Sequence, residues 1–150
     1  MTLSDLTEVD RRFIAAHPHA AMITVGSDGR PKAVKMEAAI VDGCLESASH
    51  ADKVRTLRLR RDPRCTLYFA DGEHRWLSLE VDVVIIEGPD APARLLRYFR
   101  VRDGKPSGPL DYHSDRSHYV GLGDDAFQKA MADENAVLYG FTITKTYGNR

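Results

Sequence analysis

Between Lys53 and Arg64 the chain carries Lys53, Arg55, Arg58, Arg60, Arg61 and Arg64, six cations in twelve residues, although its net charge is only -1. Such a cluster has the chemistry to grip an anion with several oxygens. Lysine supplies a point charge, and arginine supplies a planar fork of N–H donors that matches phosphate. On a helix Arg55 and Arg58 lie three apart and share a face, while Lys53 and Arg60, seven apart, form a parallel row. Lys53 stands near the helix start, where unpaired backbone N–H groups also favour anions. The same pattern fits a solvated helix face with salt bridges to Asp52 and Asp62, the commoner fate of a charge run. Residue pattern alone leaves both readings open.

Other constellations carry less. The six histidines (His17, His19, His50, His74, His113 and His118) include an H-x-H and the stretch "HSDRSH". They form no H-E-x-x-H and no Cys/His set, so no metal site is expected. Ser114 beside His113 and Asp115 reads as loop polarity rather than a nucleophilic triad, and no G-x-S-x-G elbow is present. "GLGDD" at 121–125 lacks both the G-x-G-x-x-G form and a preceding strand. Trp76 is the sole tryptophan. It either caps a core or flanks a planar ligand.

The elements that position these groups fit one domain of 150 residues, with 43% apolar and 29% charged residues, a globular composition with enough chain to bury a core. The near-neutral balance argues against general nucleic-acid binding, which depends on many phosphate contacts. No signal peptide and no bilayer-length apolar run is seen, so a reducing cytoplasm without membrane attachment is the expectation. Cys44 and Cys65 are then expected to pack as small apolar side chains.

A first helix is expected with Ser4 as N-cap, an apolar face of Leu6, Val9, Phe13 and Ile14, and a stop at Pro18. Strands follow at 20–25 and 32–41, then at 44–49 after an Asp42-Gly43 hairpin turn. The basic helix has Val54, Leu57 and the Arg61 stem at apolar spacing, and Asp62-Pro63 ends it. "CTLYFA" and "WLSLEVDVVIIEG" read as strands. A helix over "APARLLRYFRVR" presents Leu95, Leu96, Phe99 and Val101, and a polar loop and a short helix, "DAFQKAMAD", precede the last strand, "AVLYGFTITKTYG". Six strands joined mainly by tight turns make a mainly β fold, and closing them into a barrel removes exposed edges.

The order "AAMITVGSDGRPKAV", "LESASHADKVRTLRLRRDPRCTLYF", "RWLSLEVDVVIIEG" resembles the pyridoxamine 5'-phosphate oxidase-like split-barrel family over residues 10–90 and the last strand. Within it, "KVRTLRLRRDPR" followed by "RWLSLEV" is most similar to the actinobacterial branch that uses the deazaflavin coenzyme F-420 and includes biliverdin reductase-like enzymes. The resemblance implies a six-stranded antiparallel split β-barrel of the FMN-binding type, with a helix-loop-helix insert at about 90–133. It implies a homodimer with a flavin or deazaflavin in a groove at the interface. Carried over to this chain, Lys53 and Arg55 contact the cofactor phosphate, with Arg58 a further candidate. Lys35 lines the groove from the second strand, Ser49 lies where phosphate or ribityl contacts are made, and Trp76 and Ser78 lie on the strand beside the cofactor. Val81 stands where that branch has Gly, which adds bulk toward the groove, and the insert is expected to cover part of the site.

The implied activity is hydride transfer from reduced F-420 to a small conjugated or unsaturated acceptor. The alternatives are an FMN-dependent oxidase or reductase on the same scaffold and a cofactor-binding protein without turnover.

Overall fold

A computed structural model describes residues 6–150. The predicted Ser4 cap lies outside them. Helix α1 (Glu8–Ala16) is instead capped by Thr7, whose Oγ1 accepts from the Asp10 N–H at 3.1 Å while Asp10 Oδ2 accepts from the Thr7 N–H at 3.1 Å. This reciprocal box satisfies two backbone donors. Asp10 is buried and paired to Arg150, which ties the first helix to the chain's last residue. Phe13 and Ile14 face the core as expected, but Val9 is exposed.

Strands β1 (His19–Val25), β2 (Pro31–Glu37), β3 (Ala39–Val41), β4 (Cys44–His50), β5 (Arg64–Ala70), β6 (Trp76–Ile86) and β9 (Ala136–Asn149) form one antiparallel sheet in the order β2-β1-β5-β6-β9-β4-β3. Its two edges, β2 and β3, belong to one run of chain broken only at Ala38. The Ala38 N–H leaves the ladder and donates to the Pro18 carbonyl at 2.8 Å. One continuous segment therefore serves both edges, and the sheet must curl to bring them together. This is the expected split barrel. The Asp42-Gly43 turn has φ of 48° and 76°, the two left-handed positions that a tight two-residue hairpin requires.

The strand count departs from six for two reasons. The predicted strand 32–41 divides at Ala38. The stretch expected as polar loop folds into a second sheet, the hairpin of β7 (Leu110–His113) and β8 (His118–Leu122). Its pattern is too short and too interrupted by Gly, Ser and Asp to read as strands.

Two apolar clusters share β9. Val137, Tyr139 and Phe141 join Met22, Leu45, Leu67, Phe69, Leu77 and Leu79 inside the barrel. Ala136 and Leu138, on the opposite face by strand alternation, join the insert core with Leu95, Phe99, Leu110, Tyr112 and Phe127. The insert consists of α3 (Ala91–Asp103), the hairpin and α4 (Asp124–Asp133). Leu95, Leu96 and Phe99 are buried as expected, whereas Val101 is exposed. The Tyr98 hydroxyl donates to the Glu37 carbonyl at 2.7 Å, and Arg94 pairs with buried Glu46 at 2.8 Å. Burial raises the Glu46 pKa against the opposing pull of Arg94. Both cysteines are free, and burial pushes the Cys65 thiol up to about 12. Cys44 is exposed rather than packed. Val81 is buried in the barrel core, beside a register shift at Glu80/Val81, so its bulk is spent on packing rather than on a groove.

The basic helix α2 (Val54–Arg61) turns the opposite way from its apolar spacing. Val54 and Leu57 are 60% and 55% exposed, while Thr56 and Leu59 are 0% and 2% exposed. A polar anchor sets the face: Thr56 Oγ1 donates to the His50 carbonyl at 2.7 Å and bonds the Tyr139 hydroxyl. Replacing Leu59 by Ala is therefore expected to cost about 2–5 kcal/mol, as for a buried leucine. Leu57→Ala should stay within about 0.5 kcal/mol. Urea unfolding of the two variants checks this, and equal losses would contradict the observed face.

Candidate functional site

The N-terminal end of α2 is electrostatically odd. The other short helices begin with acids, Glu8 and Asp10 in α1 and Asp124 and Asp125 in α4, which suits the positive end of a helix. Helix α2 has no acid in its first turn and no side-chain cap, and it starts with Lys53 at the N-cap and Arg55 within the first turn. Positive side chains at a positive helix end repel unless an anion sits among them. The last turn, with Arg58, Arg60 and Arg61, is by contrast where cations belong.

That end opens on a pocket of about 420 Å³ between barrel and insert. Four of the sequence-predicted residues meet there: Lys35 from β2, Ser49 from β4, and Lys53 and Arg55 from the start of α2. Arg55 joins the two strands. Its Nε donates to Ser49 Oγ at 2.9 Å and its Nη1 to the Lys35 carbonyl at 3.1 Å, which leaves Nη2 without a partner among the described residues. A buried hydroxyl and a carbonyl thus hold the fork, and no carboxylate among its hydrogen-bond partners offsets its charge. Lys53 is paired with Asp115 of the insert, and the neighbouring Arg116 is paired with Asp52. Asp52 therefore bonds the hairpin turn, not the basic helix.

The remaining candidates lie elsewhere. Arg58 lines a separate surface hollow with Gly26, Asp28, Lys32 and Arg61. Arg60 pairs with Glu87 at 2.8 Å, and Arg64 pairs with Asp62 at 2.9 Å. These are the local salt bridges of a solvated face. Trp76 and Ser78 do not line the pocket. Leu77 and Leu79 point into the core, so by alternation Trp76 and Ser78 occupy the outer face of β6. There Trp76 lies between Tyr68 and Tyr147, with ring centroids 5.9 Å and 6.1 Å away, and Ser78 is opposite the same two tyrosines.

The insert adds pocket residues that sequence reasoning missed. From the insert Tyr98, Phe99, Arg102, Tyr112, Asp115 and Met131 line it, and from the end of β4 so does His50. His50 Nε2 lies 3.1 Å from Glu134 Oε1 and 3.1 Å from the Tyr112 hydroxyl. The Glu134 carboxylate also accepts from Ser114 and Ser117, which form the hairpin turn. Both side chains of the His50–Glu134 pair are under 10% exposed. Burial lowers the His50 pKa below its ordinary 6.5; the Glu134 hydrogen bond opposes this, and Arg116 and Lys53 reinforce it. The ring is therefore neutral near pH 7. No local signal marks this cluster, because His50 and Glu134 are 84 residues apart. "HSDRSH" resolves into the hairpin turn itself, with the His113 and His118 rings 4.0 Å apart across it. Among the described residues no group of three or more His, Cys, Asp or Glu is placed to hold a metal ion, and no helix is long and apolar enough to cross a membrane.

The family model for pyridoxamine 5'-phosphate oxidase matches residues 6–144. No curated protein matches the chain in sequence. Among solved structures, a conserved hypothetical protein from Mycobacterium tuberculosis is similar, with a TM-score of 0.69 at 23% identity over 95% of this chain and 84% of that one. An F-420 reductase is similar with a TM-score of 0.59 at 18% identity, covering 87% of this chain and 90% of that one. General stress protein 26 from Bacillus anthracis gives 0.61 at 15% identity, covering 92% and 88%. At these identities the likeness concerns the fold. With a family model spanning nearly the whole chain and a curled antiparallel sheet of the matching kind, the chain belongs to the pyridoxamine 5'-phosphate oxidase family, whose split barrels bind flavin or deazaflavin cofactors.

Proposed function

We propose that the chain is an oxidoreductase that uses deazaflavin coenzyme F-420 to reduce a small conjugated or unsaturated acceptor. The observation that carries this reading is the meeting of Lys35, Lys53 and Arg55 with Ser49 at one pocket, beside an uncapped helix start. The residues fit a phosphorylated cofactor. Lys53 supplies a point charge, Arg55 supplies a held fork with free donors, and Lys35 supplies a third cation for a phosphate or an acidic tail. The chemistry such a cofactor supplies when bound is delivery of a hydride. The chain's own work is to hold the phosphate with Lys53 and Arg55, orient the fork through Ser49, and keep water out with Tyr98, Phe99 and Met131.

Trp76 and Ser78 belong to the same reading through a second copy of the chain. Trp76 lies outside the pocket of one chain, so it and the cation cluster can touch one cofactor only if a partner brings its outer sheet face to that pocket; Ser78 is buried opposite Tyr68 and Tyr147 and supports that face from behind. The cluster of exposed Tyr68 and Tyr147 with half-buried Trp76 between them has the aromatic character of an interface centre. FMN is the second reading, favoured by the family whose model matches.

Fluorescence titration with F-420 and with FMN decides between the cofactors. Lys53→Ala with Arg55→Ala should weaken the preferred one by at least roughly tenfold, because charge-assisted bonds are lost. The melting temperature should fall only modestly, since exposed ion pairs such as that of Lys53 contribute about 0–1 kcal/mol and each of the two Arg55 hydrogen bonds about 0.5–1.5 kcal/mol. Unchanged affinity would return the cluster to solvated surface. Binding without reduction of any enone, quinone or tetrapyrrole would favour a non-catalytic cofactor carrier.

Sedimentation tests the partner. The wild type should be a dimer, and Trp76→Glu should raise its dissociation constant at least roughly tenfold and weaken cofactor binding with it. A monomeric wild type that binds cofactor fully would remove the second copy from the site.

A further inference from the structure

The pocket has a polar wall that the cation cluster does not use. His50 ends β4, three residues before Lys53, and the Lys53 N–H donates to the His50 carbonyl at 3.3 Å. Its ring lines the pocket. Nε2 is engaged by Glu134 and Tyr112, and Glu134 is an acceptor that already takes hydrogen bonds from Ser114 and Ser117. That arrangement fixes the proton on Nε2 and leaves Nδ1 as a bare lone pair. Nδ1 has no hydrogen-bond partner among the described residues. Yet it is not among the sealed unpaired atoms, which are Thr24 Oγ1, Glu46 Oε1 and Arg94 Nε. It therefore reaches accessible space, and the space beside His50 is this pocket.

We propose that His50 is a ligand-contacting residue whose Nδ1 accepts a hydrogen bond from a hydroxyl that the bound cofactor carries next to its phosphate. This rests on the proposed cofactor reading and deepens it. The phosphate end is placed by Lys53 and Arg55, so the group within reach of His50 is the polyol segment adjoining it. The charged and titratable groups around the ring are Glu134 from the end of α4, Tyr112 from β7, Arg116 from the hairpin turn, and Asp52 and Lys53 from the turn before α2. Both basic neighbours oppose an imidazolium, so the ring is kept as an acceptor. Glu134 is a positioning residue: it selects the tautomer and, through Ser114 and Ser117, seats the hairpin on the same carboxylate.

Nitrogen-15 NMR of the histidine-labelled wild-type protein at pH 7.5 tests this without a substitution. Free protein should show Nε2 protonated and Nδ1 bare. Saturation with F-420 or FMN, whichever binds, should move Nδ1 upfield while Nε2 keeps its proton. Sulfate, which fills a cation cluster but carries no hydrogen to donate, should leave Nδ1 where it was. His50→Phe should weaken cofactor binding by roughly 3- to 10-fold, the loss of about one hydrogen bond, without altering sulfate affinity. An unmoved Nδ1 with cofactor bound, or the same shift with sulfate, overturns the role of His50 and leaves the cofactor reading standing. Failure of the wild type to bind either cofactor overturns both.

Discussion

Everything in this molecule follows from one run of chain having to complete two sheet edges. Residues 31–41 pair with β1 on one side of Ala38 and with β4 on the other. Unpaired edges leave backbone donors and acceptors open, and a single segment can serve both ends only if the sheet curls. The curl sets β2 beside β4, and the consequence is chemical. The Lys35 carbonyl and the Ser49 hydroxyl come within reach of one guanidinium, so Arg55 spans the seam of the barrel while facing the pocket.

The second determinant is how α2 is fastened. A helix of eight residues with four arginines has little apolar surface to steer it, and Thr56 does the steering through the His50 carbonyl and Tyr139. Tyr139 belongs to the barrel core and His50 to the pocket wall, so the orientation of the basic helix start is tied to both. The pocket's cations Lys53 and Arg55 thus stand on a helix start anchored to the barrel, and the opposite wall comes from the insert.

The barrel was legible because its signals are local. Asp42-Gly43 marks a turn, apolar runs bounded by turn residues mark β1, β5 and β6, and Asp62-Pro63 marks a helix end. The cation cluster was legible as charge density, and its division into Lys53 and Arg55 at the pocket and Arg60, Arg61 and Arg64 at the surface follows from where the helix begins and ends. Illegible were the features decided across distance. The face of α2 was set by a threonine rather than by leucines. The β7–β8 hairpin is held by a glutamate on another element. His50 looked like one histidine of six because its partners arrive only with the folded insert.

The pairing of Asp115 with Lys53 bears on discrimination. A naked cluster of cations would be indiscriminate toward anions. Here the chain supplies its own resident carboxylate, and an incoming group must outcompete it. A monovalent ion such as chloride or acetate offers Lys53 no more charge than Asp115 already does, whereas a phosphate dianion does. For the proposed phosphate site, rejection of the wrong anion would thus come from a competitor within the chain, supplied by the insert.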